Sequence, residues 1–278
     1  MLAAALALAA LAFVAGGCGS GNELVIGVAS SVQDAGLMDV LVDEFKQQYP
    51  GMGIVKAVPA GSGQLLEMAR RGEFDVIITH SPAAEQEFVA GGDGVERLPF
   101  MHNFFLLVGP KDDPAGVGGA TTPAAAFKAI AGARARFVSR GDSSGTNVRE
   151  LVIWREAGVD PAGESWYQES GVGQGPNLQV ASDKGAYTLV DSSTWTALED
   201  DVQLVIYLTD AEQPNVYSVT LVNPAKHSVN ETAARDFWDF LTSAAGQAVI
   251  RGFGSEQYGQ PLFLPGDLAP APTLTPTP

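Results

Sequence analysis

Residues 137–150 read FVSRGDSSGTNVRE, and the apolar residues LVIW follow at 151–154. This order predicts the end of a buried strand, a tight polar loop and the start of a helix. The two glycines allow the backbone to turn where a side chain would clash, and either Thr146 or Asn147 is the expected N-cap. From Val148 onward the apolar residues have helical spacing. The segment therefore predicts a strand, loop and helix unit of an α/β protein.

Hydroxyl groups surround one fixed positive charge in this loop. The charge is that of Arg140, and the hydroxyls belong to Ser139, Ser143, Ser144 and Thr146. The start of a helix also offers free N–H groups and the positive end of the helix dipole. Together these groups suit a small oxyanion. The alternative is that the same residues only cap the helix, while Arg140 pairs with a carboxylate at the surface.

The composition predicts a soluble globular protein, because 46% of the 278 residues are apolar and 17% are charged. This length suits one large domain or two lobes. Asp and Glu number 32 against 16 Lys and Arg, which gives a formal net charge of −16. Such a charge argues against nucleic acid as a partner. It also means that an anion site must rely on local donors rather than on the overall field.

The first 18 residues have the apolar texture of a secretory signal peptide, so we expect an exported protein. The sequence AGGC at 15–18 resembles a bacterial lipobox, which would make Cys18 the lipid-modified first residue, anchored at the outer face of the cell membrane. Alternatively, Cys18 is a free thiol. It is the only cysteine, so no disulfide forms within the chain. Residues 19–22 would be a flexible tether.

Three strand, polar loop and helix units follow in succession, with strands expected at 24–29, 54–58 and 74–79. This succession predicts a parallel sheet with right-handed crossovers. Ligands of such sheets bind beyond the carboxyl ends of the strands. Polar side chains are therefore expected along one edge of the sheet, namely Ser30, Ser31, Ser62 and His80.

A second lobe repeats the pattern, with polar strand ends at Ser139 and Asp191. Residues 109–114 read as the crossing into this lobe, and expected strands at 204–208 and 216–222 lead back. The Pro- and Thr-rich tail cannot build a core and is expected to be disordered. The predicted organisation is therefore a first lobe at about 23–108 and 223–265, a second at about 109–222, and the tail at 266–278.

These strand ends resemble those of the tungstate-binding proteins of bacterial tungstate ABC transporters. The resemblance covers about 23–265, and its most specific part is the SRGDSSGT block at 139–146. Weaker matches gain weight from their order along the chain: Ser30 and Ser31, 61–64, 79–82, 108–114, 187–191 and 252–254.

The resemblance implies a class II periplasmic-binding-protein fold, α/β and two-lobed, with the ligand cleft between the lobes. It implies a monomeric binding protein that is not an enzyme and needs no cofactor. This protein would capture tungstate or molybdate and deliver it to a membrane permease. Residue types do not separate these two oxyanions, which are alike in shape and charge. Carried over position by position, the implied ligand-binding residues are Ser30, Ser31, Ser62, Arg140, Ser144 and Thr146.

Three departures from the family pattern bear on affinity and selectivity. Val28 and Ala29 stand where the family usually has threonines, Asn147 stands in place of His, and Ser192 stands in place of Arg.

Other classes of function also fit parts of the sequence. GDSSG at 141–145 matches the nucleophile elbow of hydrolases, with Ser143 as nucleophile and Asp191 and His227 following in the order of that fold. A phosphate-binding protein of the same fold is a closer alternative. It would need a carboxylate to accept the proton of the phosphate, and either Asp142 or Asp191 could serve. A metal site is disfavoured, because the histidines are scattered and lack ligand spacing.

Overall fold

The computed structural model describes residues 23–266. The predicted signal peptide, Cys18, the tether and all of the predicted tail except Gly266 lie outside the described residues. The first part of the chain forms β1 (Glu23–Ala29), α1 (Ser30–Asp34), α2 (Leu37–Gln48), β2 (Ile54–Ala60), α3 (Ser62–Arg70), β3 (Val76–Thr79), α4 (Pro82–Ala90) and β4 (Gly94–Pro110). The middle forms α5 (Pro123–Ala133), β5 (Phe137–Ser139), α6 (Gly145–Glu156), β6 (Tyr167–Glu169), α7 (Gln174–Lys184), β7 (Thr188–Asp191) and α8 (Ser192–Leu198). The last part forms β8 (Leu204–Val222), α9 (Glu231–Thr242), α10 (Ala244–Gly252), α11 (Ser255–Tyr258) and β9 (Leu264–Pro265).

The main sheet is mixed, with the strand order β2-β1-β3-β8-β4-β7 and β9 added against β4. β1 pairs in parallel with both β2 and β3, which confirms the predicted parallel units. The remaining pairs of this sheet, β3 with β8, β8 with β4, β4 with β7 and β4 with β9, are antiparallel. β5 and β6 form a small parallel sheet, and Phe137 bridges to Tyr187 next to β7. The carboxyl ends of β1 and β3 therefore lie together at one edge, as parallel strands require.

Two long strands connect two of the four apolar cores that the described residues form. β4 has 17 residues and β8 has 19, and they pair along most of their length. Phe100 and Met101 of β4 pack in the core around β1 to β3. Phe105 and Leu107 pack in a core formed with α5 and α6. The predicted lobe boundaries at 108 and 222 stay a prediction. Near the middle of β4, the apolar side chains stop packing in the first core and begin to pack in the second.

β8 differs from the sequence expectation, because it is one strand rather than two separated by a loop. Asn103 pairs with Asn215 and Phe105 with Asp210, so β8 has more residues than β4 between these pairs. This irregularity accommodates the polar residues and Pro214, which read as a loop in the sequence. The two predicted strands are therefore joined by a bulge at the level where the cores meet.

Aromatic side chains fill both cores. In the first, the ring of Phe45 lies 5.2 Å from that of Phe237. In the second, Trp154 is buried, with ring centroids 4.5 Å from Phe127 and 5.2 Å from Phe137. Trp154 thus packs rather than lines a cleft. Within residues 23–266 no helix combines the length and apolarity needed to cross a membrane.

Gly109 in β4 allows the ring of Tyr187 to lie against the strand, because a Cβ at Gly109 would be 2.2 Å from Cδ1 of Tyr187. We expect Gly109→Ala to lower the free energy of unfolding by roughly 1–3 kcal/mol through overpacking. Gly132 is the matched control, since it lies in α5, where an added Cβ would meet no neighbouring side chain or segment within 4 Å. Gly132→Ala should instead raise stability by about 0.5–1 kcal/mol. Denaturant unfolding of both variants measures the difference, and equal stabilities would contradict this packing.

Candidate functional site

The site begins at the N-terminus of α6, where Ser144 is the N-cap. Its backbone is extended (φ −66, ψ 165), and its Oγ accepts a hydrogen bond from the Asn147 N–H at 3.3 Å. The prediction of Thr146 or Asn147 as N-cap is therefore wrong. All three residue types suit an N-cap, and the local sequence does not decide between them. Because Ser144 caps the helix, the hydroxyl of Thr146 is not needed for capping.

The loop formed by residues 139–147, here the anion loop, is held by its own side chains. Ser139 Oγ accepts hydrogen bonds from the Gly141 N–H at 3.2 Å and from Asn147 Nδ2 at 3.1 Å. Asn147 Oδ1 in turn accepts from the Ser143 N–H at 3.1 Å. Asn147, one of the departures from the family pattern, thus fixes the shape of the loop.

Arg140 is buried, with 2% of its surface exposed, and most of its donors are occupied. Nη1 donates to Gln174 Oε1 at 3.1 Å, and Nη2 donates to Asp142 Oδ2 at 2.5 Å and to Ser30 Oγ at 3.3 Å. Its Nε has no hydrogen-bond partner among the described residues. Thr146 Oγ1 is also buried and without a partner there. Because an unsatisfied buried polar group costs about 1–3 kcal/mol, these two donors point to a ligand.

The first lobe contributes the starts of two helices. Ser30 and Ser31 lie in the first turn of α1, not in a loop, and Ser62 is the first residue of α3. Ser62 Oγ accepts from the His80 N–H at 3.1 Å, which leaves its own proton for another acceptor. Ser31 Oγ lies 2.8 Å from the hydroxyl of Tyr217.

Contacts between the lobes close the cleft. The Gly63 N–H donates to the carbonyl oxygen of Ser143 at 3.3 Å, and Arg140 reaches Ser30. A Cβ at Gly145 would lie 2.2 Å from the carbonyl oxygen of His80, so only glycine fits there. The structure thus brings Arg140, Ser144 and Thr146 to the same junction as Ser30 and Ser62. Their role in binding a ligand stays a prediction.

The floor of the cleft is a buried polar network that contains His80, expected at this edge of the sheet, and three residues that were not predicted there, Asn103, Asn215 and Tyr217. His80 Nδ1 lies 2.8 Å from Asn215 Oδ1, and the His80 ring stacks on Tyr217 at 4.8 Å. Asn215 Nδ2 donates to Asn103 Oδ1 at 2.7 Å and to the Tyr217 hydroxyl at 2.9 Å. Burial lowers the pKa of His80 to about 4, so the ring is neutral at pH 7. Gln174, which orients Arg140, is a further residue that the sequence reading missed.

Both carboxylates proposed to serve a phosphate ligand already accept hydrogen bonds from the protein. Asp191 is fully buried and caps α8, accepting from the Thr194 N–H at 3.0 Å and from Thr194 Oγ1 at 2.7 Å. Asp142 accepts from Arg140 and from the Ser144 N–H at 3.1 Å. Asp191 thus accepts four hydrogen bonds, from Asn103, Ser193 and Thr194, whereas Asp142 accepts two and keeps acceptor capacity for a protonated phosphate.

The residues of the hydrolase alternative lie in separate surroundings. His227 packs against Gly72, where a Cβ would be 3.0 Å from its Nδ1. Asp191 caps α8, and the Ser143 backbone donates to Asn147. Among the described residues no hydrogen bond joins Ser143, Asp191 and His227 into a triad, so the arrangement does not support a serine nucleophile.

Two lobes joined by β4 and β8, with helix starts and buried donors at their junction, are the features of a protein that binds a small anion. Residues 15–245 match the family described as PBP superfamily domain. The tungstate-binding protein TupA of Peptoclostridium acidaminophilum is 39% identical over 249 residues, which cover 88% of this chain and 86% of that protein. The chain therefore belongs to the PBP superfamily and, within it, to the family of tungstate-binding proteins of ABC transporters.

Solved structures agree with this assignment. The tungstate ABC transporter protein of Geobacter sulfurreducens is 40% identical with a TM-score of 0.74, covering 82% of this chain and 97% of that one. The tungstate-binding protein TupA of Desulfovibrio alaskensis G20 is 35% identical with a TM-score of 0.72, covering 88% of this chain and 98% of that one. The predicted two-lobed, periplasmic-binding-protein-like fold is confirmed.

Proposed function

We propose that this protein captures tungstate, or the similar molybdate, in the cleft and delivers it to the permease of an ABC transporter. The observation that carries the proposal is the pair of buried donors without partners, Arg140 Nε and Thr146 Oγ1, on the anion loop. The names of the relatives support tungstate as the cargo. The protein acts by binding and release, not by catalysis.

The electrostatics of the junction suit a tetrahedral dianion held by dipoles. The charge of Arg140 is largely offset by Asp142, at 2.5 Å. A dianion would therefore depend on neutral O–H and N–H donors that are already oriented, and on the start of α6. Closure of the lobes removes water and strengthens each of these hydrogen bonds.

The proposed ligand-binding residues divide into three groups. Arg140 Nε and Thr146 Oγ1 have nothing else to bind in the described structure. The hydroxyls of Ser62 and Ser144 each accept one hydrogen bond from the backbone and keep a proton to donate to the ligand. Ser30 and Ser31 complete the set from α1.

We expect Thr146→Val to lower the affinity for tungstate and to raise the stability of the ligand-free protein. Valine has the same shape without the hydroxyl, so the affinity for tungstate should fall about 10- to 100-fold, as for a lost hydrogen bond to a charged group. The ligand-free protein should become more stable by about 1 kcal/mol, because a buried unsatisfied hydroxyl is removed. Calorimetric titration and denaturant unfolding measure the two quantities.

Thr220→Val is the matched control, because Thr220 is also fully buried with an unpartnered Oγ1, on β8. It should gain similar stability and keep the affinity of the unmodified protein. Equal affinities of the Thr146 and Thr220 variants would contradict the ligand role of Thr146. If neither tungstate nor molybdate bound the unmodified protein, the proposed function itself would be wrong.

Gly145→Ala should prevent closure, since its Cβ would collide with the carbonyl oxygen of His80. The expected result is at least about a 100-fold loss of affinity for tungstate in calorimetric titration. Gly173→Ala is the control, because its Cβ would make only ordinary contacts at 3.9 Å with Asp34 and Ser30. Unchanged binding by Gly145→Ala would refute the closed geometry as the binding state.

The proposal includes export, a lipid anchor at Cys18 and a monomeric state. The apolar leader and the AGGC sequence at 15–18 support the export and the anchor. Expressed in a bacterial host with its leader, the protein should sediment with membranes and incorporate labelled palmitate, whereas Cys18→Ser should do neither. Labelling of the Cys18→Ser variant at the level of the unmodified protein would exclude this anchor.

A further inference from the structure

A buried carboxyl group lies behind the anion loop, and the proposed function gives it no role. Glu150 in α6 is 2% exposed. Its Oε2 accepts a hydrogen bond from Ser139 Oγ at 2.6 Å, and its Oε1 accepts from Trp154 Nε1 at 3.0 Å and from the Tyr167 hydroxyl at 2.8 Å. Because Ser139 also holds the Gly141 N–H and the Asn147 amide, Glu150 is connected directly to the loop.

Glu150 lies close to the proposed ligand position. Thr146 and Glu150 are four residues apart in α6, so they share one face of the helix with their Cβ atoms about 5–6 Å apart. A dianion that accepts a hydrogen bond from Thr146 Oγ1 would therefore lie on the order of 10 Å or less from the Glu150 carboxyl. Both would be inside a closed cleft, where water screens little.

No cation pairs with Glu150 in the part of the chain that is described. The titratable group that contacts it is Tyr167 of β6, and Glu169 is on the same strand. Arg140, which follows β5, is paired with Asp142, and Arg149 of α6 is paired with Asp210 of β8 at 2.7 Å. Among residues 23–266, the surroundings therefore contain no free positive charge that would hold Glu150 ionised beside a dianion.

Both protonation states of Glu150 fit its surroundings. The carboxylate accepts from three side-chain donors. The neutral acid could donate its proton to the Tyr167 oxygen, since a hydroxyl can turn and accept. Burial raises the pKa of Glu150 to about 7, against the opposing effect of the hydrogen bonds from Ser139, Tyr167 and Trp154. Small changes in the local field would therefore change its charge near neutral pH.

We propose that Glu150 takes up one proton from solvent when the cleft closes on the oxyanion, so that this residue sets the pH range of capture. The inference rests on the proposed oxyanion function. In the coupled step the carboxylate becomes a neutral acid while the dianion keeps both charges, and no other bond is formed or broken. Glu150 acts as a positioning and affinity-determining residue without touching the ligand.

The sign of the pH dependence follows from linkage. A dianion about 10 Å away, at an effective dielectric of about 20, would raise the proton affinity of Glu150 by roughly a hundredfold. The affinity for tungstate should then be constant well below pH 7. It should fall by up to about tenfold for each pH unit above the pKa of free Glu150, until the pKa of the complex is reached.

Isothermal titration of the protein with tungstate in two buffers of different ionisation enthalpy, HEPES and Tris, tests this. At a pH of about 7.5 the difference in heat should correspond to uptake of roughly one half to one proton per ligand. Tungstate itself does not titrate near this pH. Glu150→Gln should bind tungstate with the same heat in both buffers and lose the pH dependence. Glu156→Gln, on the exposed end of the same helix, should behave like the unmodified protein.

Equal heats in both buffers for the unmodified protein, with clear tungstate binding, would overturn this inference and leave the proposed function standing. Proton uptake that persists in a folded Glu150→Gln variant would also overturn it, and would assign the proton to another group such as His80. If Glu150→Gln does not fold, the test is made on the unmodified protein alone. Its heats in the two buffers and its affinity across the pH series then show whether a proton is taken up on binding. Absence of any tungstate binding would refute the proposed function, and this inference with it.

Discussion

The binding site depends on how a single buried guanidinium group is held. Arg140 is 2% exposed, and Gln174, Asp142 and Ser30 occupy its terminal nitrogens. These contacts reach α7, the anion loop and α1, so they involve both lobes. A buried charge is tolerated only when it is paired and hydrogen-bonded. Because the pairing leaves Nε free, the guanidinium can offer one directed donor to a ligand at limited desolvation cost.

The rest of the architecture serves to bring the two lobes to this group. β4 and β8 pair through both cores, and their irregular register near Asn103 and Asn215 lies at the level of the cleft. Glycines at 61, 63 and 145 allow the backbones to approach closely, with Gly145 against His80 and Gly63 bonded to Ser143. The closed cleft thus results from close backbone packing as much as from attraction between side chains.

Much of this arrangement follows from local sequence. Glycine placement and apolar spacing are enough to predict the strand, loop and helix around 137–150 and the parallel units β1 to β3. These units place Arg140 and Ser62 near the edge of a sheet. The identity of the N-cap was not predictable, because Ser144, Thr146 and Asn147 are all good caps. The choice of Ser144 matters, since it leaves Thr146 free.

Other features depend on pairing across long sequence separations. The continuity of β8 through Pro214 is imposed by β4, and local residues argue for a loop there. Gln174, Asn215 and Tyr217 enter the site only through tertiary contacts. Asn215 and Tyr217 alternate on one strand beside apolar residues, which is a signal of a polar face, but it does not reveal what that face meets. The local sequence does not predict helices α1 and α8, because each follows a strand end and lacks a clear helical spacing of apolar residues.

In the proposed site, the two unpartnered donors of the anion loop hold the oxyanion. A crystal structure of the protein grown with tungstate, phased on the anomalous signal of tungsten, tests it most directly. We expect one strong anomalous peak between the lobes, with oxyanion oxygens within hydrogen-bond distance of Arg140 Nε and Thr146 Oγ1. A fully occupied peak elsewhere, with both donors still unpartnered, would contradict it.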